Sequence, residues 1–394
     1  MLKVKIDKID KINKKDKKEI RKKVIITGSV PPPVHGSSIY LSNLLNSKVK
    51  DEFEVFHHDI SDHRDIKNLS KLDITNIKLA LKSISGMRKF VKEKKPDIVY
   101  IPVASNFLPY LRDGLMILTA SAFSNAKIVI HLHEGSFFNE VFYKNSIPPV
   151  KWFIRHSLSK VNTAIVFSEK LKENFEGKVK NITAFMNGMD LIPADPLKKI
   201  HKESEDKFII SFCSNHYESK GIIDILKSAP AILKEFPKTE FHFAGDWPDD
   251  ERSTKLKADN ILSESGIQNN VKFHGVISGK AKEIFFDNTD ILLLPTYYPH
   301  EGCPLVIIEA FAKGIPVISS NETGAIPEMI EDGVTGMLID NKNPEQIADA
   351  VIKLIKDKDL RQKISIACTD SFQKRFTAEI NINNIITTFN KALN

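Results

Sequence analysis

Short apolar runs punctuate the chain at regular intervals: VIIT at 24–27, IVYIPV at 98–103, IVIHL at 128–132, TAIVFSE at 163–169, FIISFCS at 208–214, FHFAGDW at 241–247, VKFHGVISG at 271–279 and ILLL at 291–294. Runs of this length, closed by Gly, Pro or polar residues, read as buried strands; 53–57 reads as one more. The stretches between them carry apolar residues at helical spacing. In 77–94 these are Ile77, Leu81, Ile84, Met87 and Val91, and the pattern stops before Pro96. Further helices are expected at about 108–123, from the loop at 215–221 to about Phe236, at 279–288 and from Pro344, behind an Asn343 cap, to about Lys356. Strand and helix alternating in this way predict α/β architecture with parallel sheets. A length of 394 residues exceeds what one core organises, so two domains are expected.

The densest information lies in 291–340, which reads strand, loop, helix, strand, loop, helix, turn, strand. Pro304 suits the first helical position and Gly314 the left-handed position past the end, giving a helix from Pro304 to Lys313. Glu301 then sits in the loop at the mouth of a strand, and Glu309 about one and a half turns into the helix. Between them lie the free N–H groups of a helix N-terminus, which receive phosphate readily. Carboxylates on either side accept hydrogen bonds from hydroxyls. The implied ligand is a phosphate flanked by polyols, such as a nucleotide-sugar.

The run EGCPLVIIE, followed by EAFAKGIPVISS and GAIPEMIEDGVTGMLI, resembles the retaining glycosyltransferases of family 4. The resemblance implies the GT-B fold, two Rossmann-like domains facing one another across a cleft. It implies that Glu301 contacts the donor sugar, that Glu309 binds the ribose, and that Gly302, Cys303, Pro304 and Leu305 border the donor between them. On this reading the domains are 24–194 on the acceptor side and 195–371 on the nucleotide-sugar side, with 372–394 a helix returning to the first.

Other segments gain meaning from the same resemblance. The loop PPPVHG at 31–36 leads from a strand into a helix and lacks the Gly-Lys-Ser/Thr ending of a Walker loop. It is similar to the first loop of family 4 enzymes, which implies that Gly36 lets backbone approach the diphosphate or acceptor, with His35 beside it. His133 ends a strand where the family carries a histidine on the donor sugar; Glu134 and Ser168 are expected on the acceptor side. Asn187 and Gly188 resemble the turn at which the chain crosses between domains. Lys220 with Gly221 resembles the family's pair in which lysine neutralises the diphosphate. Asn215 stands where many relatives carry arginine, leaving that task to Lys220 and the helix N-terminus. Gly245 and Asp246 are expected at the donor site, and the backbone of Val276 and Ile277 at the base.

Charge narrows the picture. The net charge of +7 resides in residues 1–23, a tail with eleven basic and four acidic residues. Such a tail is either attracted to an anionic membrane surface or simply solvated. Without aromatic residues for stacking, it does not point to nucleic acid. The basic residues of 77–95 read as the solvated face of a core helix, with membrane contact secondary. Three scattered cysteines indicate neither a disulfide framework nor a zinc site and fit a reducing cytoplasm. No run is apolar and long enough to span a membrane, and the N-terminus lacks the apolar core of a secretion signal, so neither a span nor a secretion signal is expected.

The expectation is therefore a metal-independent enzyme without cofactor. It would move a hexosyl unit, with retention, from a nucleotide-sugar, here a UDP-sugar, to a hydroxyl of a glycan or lipid-linked acceptor in bacterial surface polysaccharide assembly. It would work in the cytoplasm or on the inner face of the membrane. Two alternatives stand beside it: an inactive transferase-like scaffold subunit, and a GT-B epimerase or phosphorylase.

Overall fold

The computed structural model describes residues 21–32, 36–62, 74–195 and 207–394; the basic tail to residue 20 and His35 lie outside them. In chain order the strands are β1 (Lys23–Gly28), β2 (Glu54–Asp59), β3 (Ile98–Val103), β4 (Lys127–Leu132), β5 (Thr163–Val166) and β6 (Asn181–Ala184), followed by β7 (Ile209–Cys213), β8 (Glu240–Ala244), β9 (Val271–Phe273), β10 (Ile291–Leu294), β11 (Val317–Ser320) and β12 (Gly336–Ile339). The longer helices are α1 (Gly36–Leu45), α2 (Ile74–Lys94), α3 (Phe107–Phe123), α4 (Pro148–Leu158), α5 (Ile222–Glu235), α6 (Arg252–Ser265), α7 (Gly279–Asp287), α8 (Leu305–Ala312), α9 (Pro344–Lys356), α10 (Lys358–Arg375) and α11 (Ala378–Leu393).

Two six-stranded parallel sheets result, ordered β2-β1-β3-β4-β5-β6 and β12-β11-β10-β7-β8-β9. Each reverses direction beside its first strand. In the second sheet β7 pairs with β8 on one side and with β10 on the other, Ile210 lying opposite Ile291. Ligands of open parallel sheets bind at such a switch point, beyond the carboxyl ends of the strands. The loops after β7 and β10 carry Lys220 and Glu301.

Alternation along the strands assigns the two faces of the first sheet. Val24, Ile26, Ile98 and Tyr100 pack under α1 and α11, together with Ile385 and Phe389. Ile25, Val99 and Ile101 face the other way, into the cluster shared with Met87, Met116 and Ile154 of α2, α3 and α4. The C-terminal helix thus covers the N-terminal sheet. It begins at Ala378 behind a Thr377 cap, six residues later than position 372, because α10 continues to Arg375. Met189 of the crossover receives an adjacent bond from each side: its amide donates to Phe376 and its carbonyl accepts from Ala378.

Several strands stop earlier than their apolar runs suggest. β5 ends at Val166, β8 at Ala244 and β9 at Phe273. After β8 and β9 the chain leaves the sheet through Gly245 and Gly275, whose φ values of +141° and +66° suit glycine.

Candidate active site

The helix behind the Glu301 loop starts at Leu305. Pro304 is its cap, with φ −66° and an extended ψ of 115°, so the chain enters the helix one residue later than the proline pattern predicts. Gly314 has φ +63° past its end. Glu301 is 8% exposed, and its Oε2 lies 2.5 Å from Nζ of Lys220 and 3.3 Å from Oγ1 of Thr296. The Lys220 ammonium also stands 4.5 Å from the Tyr298 ring centroid. Lys220 follows β7 in a turn closed by Gly221, whose φ is +87° and whose missing Cβ leaves room for the Pro295 carbonyl. The switch point therefore holds a carboxylate and an ammonium beside the N-terminus of α8.

One turn along α8, Glu309 meets a second cation. Lys282 Nζ on α7 lies 2.6 Å from Glu309 Oε1, while Oε2 is buried without a hydrogen-bond partner. Burial pushes the Glu309 carboxyl up, against the pull of Lys282. No sequence pattern marks Lys282, one of two lysines on a short helix.

The first domain contributes His133, just past β4. Its ring lies 4.0 Å from that of His131, tilted by 33°, and meets Tyr40 edge-on at 4.7 Å. His131 is fully buried and its Nδ1 lies 2.7 Å from the Tyr100 hydroxyl. Burial lowers the His133 pKa to about 4, so the ring is neutral near pH 7. The domains meet tightly here: a Cβ on Gly302 would lie 2.8 Å from the His133 carbonyl oxygen, and one on Gly135 would lie 2.3 Å from that of Glu301. Gly302 is thus glycine because two backbones approach. Glu134 reaches across the same seam, its Oε2 2.7 Å from Nδ1 of His300, whose ring stacks on Phe137 at 3.8 Å. His300 carries no distinguishing pattern in the sequence.

A cavity of about 360 Å³ opens between these parts, lined by Gly36, Tyr40, His133, Asn187, Leu305 and Asn381 among others. A Cβ on Gly36 would meet nothing within 4 Å, so the space beside it is open. Asn187 is 7% exposed; its Oδ1 has no hydrogen-bond partner, and its Nδ2 donates to the Cys303 carbonyl at 3.5 Å. Asn187 does more than make a turn, since it binds the crossover to the start of α8.

Other residues singled out in the sequence sit differently. Ser168 is 2% exposed, and its hydroxyl accepts from the Leu171 amide, capping the turn after β5. The Cys303 side chain packs on Met329, Sγ to Sδ 3.7 Å, with its thiol pushed up to about 12 by burial. Asn215 Oδ1 accepts from the Asp246 amide at 3.3 Å, and a Cβ on Gly245 would strike the Ser214 carbonyl at 2.0 Å. These residues join two loops at the carboxyl edge of the second sheet. Val276 is exposed and Ile277 half-buried on the rim of that edge. Among the described residues, no group of three or more His, Cys, Asp or Glu is arranged to hold a metal ion.

Residues 194–369 match the family described as glycosyl transferases group 1. The chain is similar to an alpha-D-kanosaminyltransferase of Streptomyces kanamyceticus, at 20% identity over 66% of this chain and 68% of that one. It is similar to the capsular polysaccharide biosynthesis glycosyltransferase CapM of Staphylococcus aureus, at 29% identity over 46% of each. The fold is that of Anabaena HepE, solved in complex with UDP-glucose, with a TM-score of 0.68 at 16% identity over 94% of this chain and 99% of that one.

Proposed function

The chain is a glycosyltransferase of the GT-B fold whose residues 194–369 belong to the glycosyl transferases group 1, and from that premise we propose a retaining, metal-independent hexosyl transfer from a UDP-sugar to an acceptor hydroxyl. The observation that carries this reading is the Lys220–Glu301 pair, 2.5 Å apart at the switch point of the second sheet and beside the N-terminus of α8. A diphosphate arriving there competes for the Lys220 ammonium and finds the unpaired amides of the first helical turn. Glu301 is then free to accept from sugar hydroxyls, and Glu309 from the ribose.

Bond cleavage between the anomeric carbon and the diphosphate oxygen places negative charge on the leaving group, which Lys220 and the helix N-terminus stabilise. The freed phosphate oxygen takes the acceptor proton as the new glycosidic bond forms on the same face. His133, neutral and held between His131, Tyr40 and Phe167, supplies a rigid polar surface for the sugar. The acceptor enters the cavity between Gly36 and Asn187. The UDP-glucose complex of HepE and the capsule role in the name of CapM support a UDP-sugar donor and a glycan or lipid-linked acceptor in polysaccharide assembly.

The test is the anomeric configuration of early hydrolysis or transfer product, read by proton NMR from an α-linked UDP-sugar. An α-product with EDTA present is expected. A β-product, or strict dependence on divalent metal, would overturn the mechanism.

A further inference from the structure

The turn after β5 and the short helix Ile326–Met329, which follows β11, belong to different domains and touch each other. In the first sheet β5 lies beside β4, and in the second β11 lies beside β10. The two segments therefore meet one strand over from the contact of His133 with Gly302. Glu328, in the run GAIPEMIED at 324–332, makes the join. Its Oε2 accepts from the Glu169 amide at 3.0 Å and its Oε1 from the Lys170 amide at 3.1 Å. Lys170 reaches the other way, its Nζ donating to the Glu322 carbonyl at 3.0 Å. Both amides open the 3₁₀ turn Lys170–Asn174, where the first donors of a helical turn have no partner within it. A carboxylate spread over two such donors forms two charge-assisted hydrogen bonds of fixed direction.

The segment that carries Glu328 is bonded to the Glu301 loop. The Ala325 amide donates to the Gly302 carbonyl at 2.8 Å, and the Thr323 hydroxyl to the Thr296 carbonyl at 2.8 Å. Gly324, at φ +55°, comes so close that a Cβ would lie 2.1 Å from the Glu301 carbonyl oxygen. From behind, the Arg375 guanidinium donates to the carbonyls of Glu328 and of Met329, the latter at 3.3 Å. Residues 301–303 and 323–329 thus move as one unit. A shift of Glu328 relative to the first domain shifts Glu301 relative to His133.

We propose that Glu328 is a positioning residue for the transfer: its carboxylate clamps the turn after β5 and so holds Glu301 and Gly302 in register with His133. Without that carboxylate each domain keeps its own core, but the register across the cleft is lost. A displacement of about 1 Å at a reacting centre can cost about a hundredfold in rate. Donor binding depends less on the clamp, since Lys220, Glu309 and the N-terminus of α8 all belong to the second domain. The proposal rests on the glycosyltransferase reading for its kinetic consequence, while the clamp itself stands on geometry.

The experiment compares the full chain with Glu328→Ala and Glu328→Gln. Small-angle scattering, melting temperature and steady-state UDP release from UDP-glucose or UDP-N-acetylglucosamine are measured for each. Glu328→Ala is expected to expand the scattering profile and to lower kcat roughly tenfold to a hundredfold. Donor KM should change by less than about threefold, the split of a group that acts on the reaction rather than on donor binding. The melting temperature should shift by only a few degrees. Glu328→Gln keeps an acceptor oxygen of the same reach but turns an amino group towards one of the two amides, so its kcat should fall between those of Ala and wild type. Wild-type scattering and kcat in Glu328→Ala would overturn the proposal. Loss of kcat with wild-type scattering would overturn it too, by confining the role of Glu328 to its own domain. If Glu328→Ala does not fold, Glu328→Gln decides on the same readings: a lowered kcat with an expanded profile supports the clamp, and wild-type behaviour refutes it. A wild type that releases UDP from neither sugar would count against the proposed reaction, and scattering alone then decides the clamp.

Discussion

Lys282 and Glu309 form an ion pair 2.6 Å long inside the candidate donor site, from two helices that the sequence gives no reason to connect. Burial favours the neutral acid at Glu309, and Lys282 opposes it. Replacing Lys282 with Ala therefore raises the pKa of Glu309 further. Donor KM near pH 7 should rise by roughly tenfold, the size of a single lost charged contact. Raising the pH should restore part of the loss in Lys282→Ala, because it re-ionises Glu309. A KM deficit that stays constant with pH would show that Lys282 acts by another route.

In the proposed mechanism Lys220 meets the donor diphosphate and stabilises it as it leaves, so its removal should weaken donor binding and also slow the chemical step. Lys220→Ala is expected to lower kcat by about 10² to 10³, the range for removing one donor to developing negative charge. Lys220→Arg should recover little, because a planar guanidinium fork does not reproduce the compact ammonium that sits 2.5 Å from Glu301. Steady-state kinetics on both variants checks this.

Gly302→Ala places a methyl group 2.8 Å from the His133 carbonyl oxygen, and neither partner is a side chain that can turn away. The variant should fold, because the clash lies between domains rather than within a sheet. The domains should separate, lowering kcat/KM at least tenfold while the melting temperature shifts by only a few degrees. Small-angle scattering together with kinetics measures both effects.

His216 is 1% exposed, with neither ring nitrogen hydrogen-bonded, among Phe212, Phe243, Trp247 and Phe273. Burial lowers its pKa to about 4. The unfolded chain takes up a proton near pH 6.5 that the folded chain refuses, so this site costs stability progressively as pH falls from about 6.5 towards about 4. His216→Phe removes the cost. The stability difference between variant and wild type should widen by up to about 3 kcal/mol across that window and stay flat above pH 7. Urea denaturation at a series of pH values reads it directly.

Phe389 on α11 is fully buried and meets Phe53 and Tyr100 edge-on at 5.7 and 5.8 Å. Phe389→Ala should cost about 3 to 5 kcal/mol, the usual loss for a buried aromatic. Because α11 covers the first sheet, the loss should appear in the unfolding of the N-terminal domain, although the residue lies near the C-terminus. Hydrogen exchange resolved by segment distinguishes the two domains.

The parts of the fold that follow from local pattern were legible in the sequence. ILLL at 291–294 and IVYIPV at 98–103 are strands at those positions, and Asn343 caps α9 by accepting from the Gln346 amide at 3.0 Å. What local pattern could not supply was long-range pairing. Lys282 finds Glu309 across 27 residues, and His300 finds Glu134 across 166. Nothing in the residue types announces either contact. Ser168 illustrates a complementary ambiguity: a serine near a strand end suits a cleft or a cap equally well, and the turn after β5 uses its hydroxyl as a cap. Gly302 stood in the right place, but its reason, the carbonyl of His133 from another domain, is visible only in three dimensions.

The most direct test of the central assignment is nucleotide-sugar binding by thermal shift, with UDP-, GDP- and ADP-sugars offered to the wild type, Lys220→Ala and Glu309→Ala. The account predicts that a UDP-sugar raises the melting temperature of the wild type and that both variants lose the response while melting near the wild-type temperature without ligand. A wild type that responds to no nucleotide-sugar, or variants that respond as the wild type does, would contradict it.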